Sequence, residues 1–320
     1  MKRRDVLGAL ASAAIASSLA ANDPVRRIGY LAAGSSPGEL TRYLAELGWI
    51  DGRNLRFEIR QAPPESGAEV MKVAAEELVR LSPDVLLAYL DRTEALAAAT
   101  KTIPIVAGFH ADPVGMGLAK SLRHPGGNVT GLSLGARETT GARIGILRAM
   151  RPRLSRVAVM HGAKGEERMR RVTRSWEEDA RPLGITFTHV PCATLADVAR
   201  GFDALGDPTM AAAFLILGGM TTVSLPGAIA KDIYPLAVQR RIATHGDVHA
   251  GALLFYGLNF SNEHARIAAI IDKILRGTQP ADIPFELPDR PDFALNRATA
   301  RAIGVDLTPE ILLRATEVVG

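Results

Sequence analysis

The residues able to do chemistry in this chain lie in short polar stretches that follow apolar runs. Ser35 and Ser36 sit between Gly34 and Gly38. Two hydroxyls and two glycines ahead of a helix expose backbone N–H groups, which suits a carboxylate. A plain turn with a serine cap fits the same letters. Asp91, Arg92 and Thr93 follow the apolar run that ends at Leu90. An acid beside a base there would grip an ionised solute, Asp91 toward an ammonium and Arg92 toward a carboxylate; a solvated pair at a helix start is the plainer alternative. His110 and Asp112 follow residues 103–109, and His161 ends residues 156–161. Thr221, His245, Asp247 and Tyr256 mark later strand ends. Their hydroxyl, imidazole and carboxylate groups complete the candidate ligand-binding set. His110 with Asp112 has the composition of a carboxylate–imidazole pair, but i, i+2 spacing in a loop says little. No H-E-x-x-H, P-loop or G-x-G-x-x-G pattern accompanies it. No catalytic residue is assigned.

These stretches need a scaffold. Residues 27–33, 55–60, 84–89 and 103–109 read as strands, and residues 39–47, 67–81, 94–99 and 114–122 as helices. Short apolar runs alternating with helical patterns predict a parallel sheet with helices on both faces. In such sheets ligands sit beyond the carboxyl ends of the strands, where the polar stretches lie. After Gly131 the pattern begins again. Strands are expected at 156–161, 185–190, 211–217, 242–245 and 253–256. Helices are expected at 138–150, 166–183, 195–205, 225–240 with an interruption near Pro235, 261–276 capped by Ser261, 297–303 and 310–319. The fold class is therefore α/β: two doubly wound parallel-sheet lobes with a ligand cleft between them. Pro284, Pro288 and Pro291 make residues 284–291 a stiff extended crossing.

The 320 residues, 47% hydrophobic and 22% charged, supply two cores. A formal charge of +4 without a long basic run gives no reason to expect a nucleic-acid partner. Residues 1–21 read as a signal peptide: Lys2, Arg3 and Arg4 precede a short apolar run, and Ser18-Leu19-Ala20 resembles a cleavage site. The arginine pair loosely fits the twin-arginine pattern. The expectation is a periplasmic or secreted monomer. Cys192 is the only cysteine, so no intrachain disulfide, Cys-rich metal site or lipid-anchoring cysteine at the cleavage point is available. It reads as a small buried filler. His245, Asp247 and His249 alternate, which is thin support for a metal; a loop histidine with a local partner is simpler. No cofactor is expected.

Residues 103–131 carry I-P-I-V, then D-P-V-x-x-G-L, then S-L-x-x-P-G-G-N-V-T-G. This resembles a family of bacterial ABC-transporter substrate-binding proteins, type I periplasmic-binding-protein-like receptors with members associated with tryptophan and other aromatic amino acids. Residues 47–55, residues 274–284 and the ending from Asn296 through Pro309 to Ala315 resemble it too. The resemblance implies capture of a small solute in the inter-lobe cleft and delivery to ABC permease membrane subunits. It implies a first lobe of 22–131 plus about 257–285, a second of 132–256 plus about 286–320, and a strand near Tyr256 returning to the first lobe. This chain departs from the family pattern in a shortened first loop, in the charged Asp91 and Arg92, and at His161, Thr221 and His245. A sensor partner delivering solute to a signalling receptor and an exported α/β enzyme are the alternative readings.

Overall fold

A computed structural model describes residues 24–34, 36–63, 66–216, 224–258, 262–287 and 290–320. The expected signal peptide, Ser35, Thr221 and the Ser261 cap lie outside the described residues. The first half alternates β1 (Arg26–Ala32), α1 (Glu39–Glu46), β2 (Leu55–Gln61), α2 (Gly67–Arg80), β3 (Val85–Ala88), α3 (Asp91–Ala99), β4 (Ile105–His110) and β5 (Val129–Ser133). The five strands form one parallel sheet in the order β2-β1-β3-β4-β5. Alternate residues of the same strand enter opposite cores, as the two-residue period requires. Leu31, Leu86 and Ile105 meet Met71, Ala75 and Leu78 of α2, while Ile28, Leu87 and Val106 face the other way.

The second half runs α4 (Ala136–Met150), β6 (Arg156–Gly162), α5 (Glu166–Ala180), β7 (Thr186–Cys192), α6 (Leu195–Ala204), β8 (Ala211–Leu215), α7 (Gly227–Gln239), β9 (Ala243–His245) and β10 (Leu254–Leu258). Then come α8 (Glu263–Leu275), β11 (Pro291–Asn296), α9 (Arg297–Ile303), α10 (Pro309–Arg314) and β12 (Glu317–Val319). Seven strands form the second sheet in the order β12-β11-β10-β9-β8-β6-β7. All its pairings are parallel except β10 with β11. Cys192 is buried in its core beside Val198 and Phe202.

Four local expectations give way. The strand at Tyr256 does not return to the first lobe: β10 pairs with β9 and β11 of the second sheet. It is α8 that returns, laying Ile267, Ile270, Ile271 and Ile274 over Ile28 and Val106. Residues 114–122 form turns rather than a helix, because Gly115 and Gly117 are poor helix formers and Gly117 takes a positive φ of 73°. Residues 310–319 split into α10 and the edge strand β12, paired with β11, as valines favour. Pro235 stays inside α7, where the packing of Ile233, Tyr234 and Ala237 outweighs one lost backbone bond.

The strand β5 closes on β4 without room for a side chain at Gly131. Its φ is 144°, and a Cβ there would lie 2.0 Å from the Ala107 carbonyl oxygen. Gly131→Ala should therefore cost at least about 2 kcal/mol in urea unfolding. Gly145→Ala, inside α4 with nothing within 4 Å of the added methyl, should be neutral or slightly stabilising. Equal effects at the two positions would refute the steric account.

Candidate functional site

The helix α5 starts just past the carboxyl end of β6 and touches the first lobe at two points. Arg168 donates to Glu94 Oε1 of α3 from Nη2 at 2.6 Å and from Nε at 3.1 Å. The same oxygen lies 3.1 Å from Nε2 of His110, at the end of β4. Burial alone would raise the Glu94 carboxyl; His110 and Arg168 outweigh it and hold the group below the usual carboxylate range. The second point is Asp112. Its Oδ1 accepts the Gly115 N–H at 2.7 Å, and its Oδ2 accepts from Ser175 Oγ of α5 at 3.4 Å. A groove of about 560 Å³ runs along this junction, lined by Asp91, Glu94, Lys72, Lys164, Arg168 and Arg171 among others.

A second cavity, about 290 Å³, opens at the carboxyl edge of the first sheet. Tyr30, Tyr89 and Phe109 wall it, with Ser36, Arg92 and Glu263 at its polar side. Tyr89 stands edge-on to both neighbours, 6.3 Å from Tyr30 and 5.0 Å from Phe109 between ring centroids. Gly108 makes room for this ring, since a Cβ there would lie 2.3 Å from Tyr89 Cε1. The chain turns out of β3 through Leu90 at φ 55°, ψ −128°, a strained geometry for a non-glycine residue. The helix thus begins at Asp91, earlier than its sequence pattern suggests, and Asp91, Arg92 and Thr93 are buried in its first turn. Arg92 is 1% exposed and donates from Nε to the Ala62 carbonyl at 2.8 Å and from Nη1 to Asp91 Oδ1 at 3.3 Å.

Residues 34–38 have G-x-S-x-G spacing between a strand and a helix. A nucleophilic serine in that setting needs a sharp, strained turn. Among the described residues that are not glycine, only Ser82, Leu90 and Arg241 take positive φ, so Ser36 has no such turn. Leu90 does, and carries no nucleophile.

The second lobe uses its candidates internally. His161 is fully buried, with Nδ1 3.0 Å from the Gly162 carbonyl and its ring edge-on to His189 at 5.6 Å. The His245 ring lies between Phe214 and Phe255. Burial and the nearby Arg143 push its pKa down to about 3, and Nε2 faces the Tyr256 backbone, 3.0 Å from its carbonyl oxygen and 3.1 Å from its nitrogen. Arg143 Nε occupies the Tyr256 carbonyl at 2.7 Å. Asp247 Oδ1 accepts the N–H groups of His249 and Ala250 in its own turn, and His249 Nε2 lies 3.3 Å from Glu317. The three residues that alternate in sequence thus turn to three different partners. His245 and Asp247 do border a groove of about 880 Å³ with Tyr234 and Phe255.

The candidate residues therefore divide among separate places: Ser36 and Arg92 at the aromatic cavity, Asp91 at the inter-lobe groove, His110 and Asp112 in the junction, and His161, His245, Asp247 and Tyr256 in the second lobe. Tyr89, Glu94, Arg168 and Glu263 were not singled out by sequence reasoning. Tyr89 and Phe109 end their strand patterns as aromatics, which is a readable signal; Glu94 and Arg168 stand in ordinary helical surfaces and offer none.

Residues 38–319 match the model of a family described as ABC transporter substrate binding protein. A tyrosine-binding protein of Clostridioides difficile (strain R20291) is 24% identical over 264 residues, covering 81% of this chain and 74% of that protein. A similar fold is seen in a conserved domain protein of Vibrio cholerae, at 23% identity and a TM-score of 0.70 over 92% of this chain and 99% of the other. An ABC domain of Streptococcus pneumonia in complex with L-Trp shares it at 19% identity and a TM-score of 0.70, with the same coverage. A ligand-free, open substrate binding protein with adhesive properties from Clostridium difficile shares it at 20% identity and a TM-score of 0.61, again with 92% and 99% covered.

Two consequences are measurable. Glu94→Gln should leave secondary structure intact, cost about 1–3 kcal/mol by stranding Arg168 and His110, and enlarge the radius of gyration in X-ray scattering; an unchanged radius would show that the lobes are held by other contacts. For His245, the unfolded side chain titrates near 6.5 while the folded one resists protonation down to about 3. Between these values the unfolded chain binds the extra proton, so stability should fall as pH drops below about 6.5 and level off near 3. In His245→Asn the melting temperature should vary less steeply over that window, and an unaltered slope would exclude His245 as its source.

Proposed function

The chain belongs to the family of ABC transporter substrate-binding proteins, and from that premise we propose that it is the exported solute-binding component of an ABC importer. It captures a small, amino-acid-like solute between two lobes and delivers it to membrane permease subunits. The observation that carries this reading is the junction of the two strand edges. Side chains of α5 reach Glu94 and Asp112 at the carboxyl edge of the first sheet, where open α/β sheets bind ligands.

The chain leaves the first sheet after β5, returns to it with α8, and leaves again for β11. Few connections of this kind permit hinge closure around a ligand. We take the lobes as 22–131 with about 257–285, and 132–256 with about 286–320, with β10 counted in the second. Capture needs an apolar wall and convergent polar groups, with no nucleophile or base. A relative named for tyrosine binding and a similar fold holding L-Trp support an amino-acid-like solute. Export rests on the charged and apolar pattern of residues 1–21. The protein acts as a monomer without cofactor or nucleic acid.

Thermal shift of residues 21–320 against amino acids, amines, aromatic acids, sugars and purines tests the reading. One chemical class should raise the melting temperature by roughly 5 °C at saturation and be recovered unchanged by mass spectrometry. A compound that stabilises the protein and is consumed would make it an enzyme instead.

A further inference from the structure

Half-buried arginines in this chain typically end on carboxylates: Arg60 on Glu77, Arg168 on Glu94, Arg240 on Asp203 and Arg266 on Glu286. Arg143 of α4 does not. Among the described residues no acid comes close enough to steady its charge. Its Nε donates to the Tyr256 carbonyl at 2.7 Å. Its Nη1 and Nη2 make no hydrogen bond to the described residues, and neither is sealed from solvent. Burial pushes the guanidinium down to about 10, which leaves it charged at neutral pH. A cation withdrawn from water without a counter-ion is costly. Arg151 also lacks a carboxylate, but it is the C-cap of α4, where the helix's own carbonyls answer a positive charge. Arg143 stands mid-helix and has no such answer.

Its position is the lobe junction. The helix α4 begins on the first lobe, where the Ala136 N–H donates to the Ala111 carbonyl at 3.2 Å, and Arg143 follows about 10 Å along the axis. Tyr256 comes just after Leu254, the partner of His245 where β9 ends. The guanidinium therefore caps a carbonyl at the carboxyl edge of the second sheet, the edge at which open α/β sheets hold ligands. Ala111 and Met116 of the first lobe pack, as Tyr256 does, against the second lobe's core. His245, the other basic group at the Tyr256 backbone, stays neutral. The edge thus presents one positive charge and two terminal nitrogens side by side, which matches a monoanionic carboxylate in charge and spacing.

We propose that Arg143 is the group that recognises a carboxylate on the solute, with Nη1 and Nη2 donating to the two oxygens while Nε stays on Tyr256. This rests on the receptor reading above and makes the carboxylate the charge that an amino-acid-like solute must carry. The solute supplies the counter-ion that no described side chain supplies.

Four compounds sharing one ring separate the groups: tyrosine carries amine and carboxylate, 3-(4-hydroxyphenyl)propionate only the carboxylate, and tyrosinamide and tyramine only the amine. Each is titrated calorimetrically into residues 21–320, into Arg143→Gln and into Arg143→Lys. The two acids should bind, and the two amines about ten- to hundredfold more weakly. Arg143→Gln should bring the acids down to the level of the amide and leave the amide where it was. Arg143→Lys, which keeps the charge and decides the matter if the glutamine variant does not fold, should weaken the acids alone by about tenfold. Equal weakening of acid and amide would mark Arg143 as a purely structural residue and overturn the proposal, as would undiminished acid binding by either folded variant. A sugar, purine or amine from the broader panel bound equally with and without Arg143 would sink this inference while the receptor reading stands. Silence toward every compound would count against both.

Discussion

The Glu94 carboxylate is the point at which the two lobes become one structure. It comes from a helix of the first lobe and accepts Arg168 from a helix of the second, with His110 of the first sheet beside it. A charge this largely removed from water is costly without partners, and its two partners stand on different lobes. Separation of the lobes must therefore leave at least one charge exposed to water or unanswered. Asp112 repeats the arrangement with a weaker link: one oxygen fixes its own turn at Gly115 and the other reaches Ser175. Both links converge on α5, so that helix reports the distance between lobes.

The same accounting explains why so many polar residues at strand ends face inward. Arg92 holds the Ala62 carbonyl and Asp91, and becomes one of the largest fully buried side chains. His245 stays neutral between two phenylalanines because desolvation disfavours its charged form, and its Nε2 pairs with the Tyr256 backbone. These groups organise the carboxyl edges of the two sheets. Tyr30, Tyr89 and Phe109 wall the cavity at the first sheet's edge. The ring of Tyr89 is set by two features of its own sheet: the missing Cβ at Gly108 and the turn at Leu90.

The sequence by itself determined the alternation of strands and helices, because buried parallel strands need apolar runs and their covering helices need a 3.6-residue stripe. It also carried the family motifs at residues 103–131 and 274–284, and with them the two-lobe architecture. Only the tertiary structure decided which sheet receives β10, since one apolar pentapeptide suits either, and only it decided that residues 317–319 extend an edge strand. Tyr89 and Phe109 end apolar runs and were legible as aromatics there, but their meeting at 5.0 Å depends on strand order and on Gly108. The bond between Glu94 and Arg168 spans 74 positions. Spacing along a helix says which residues share a face; it carries no information on what another lobe brings against that face.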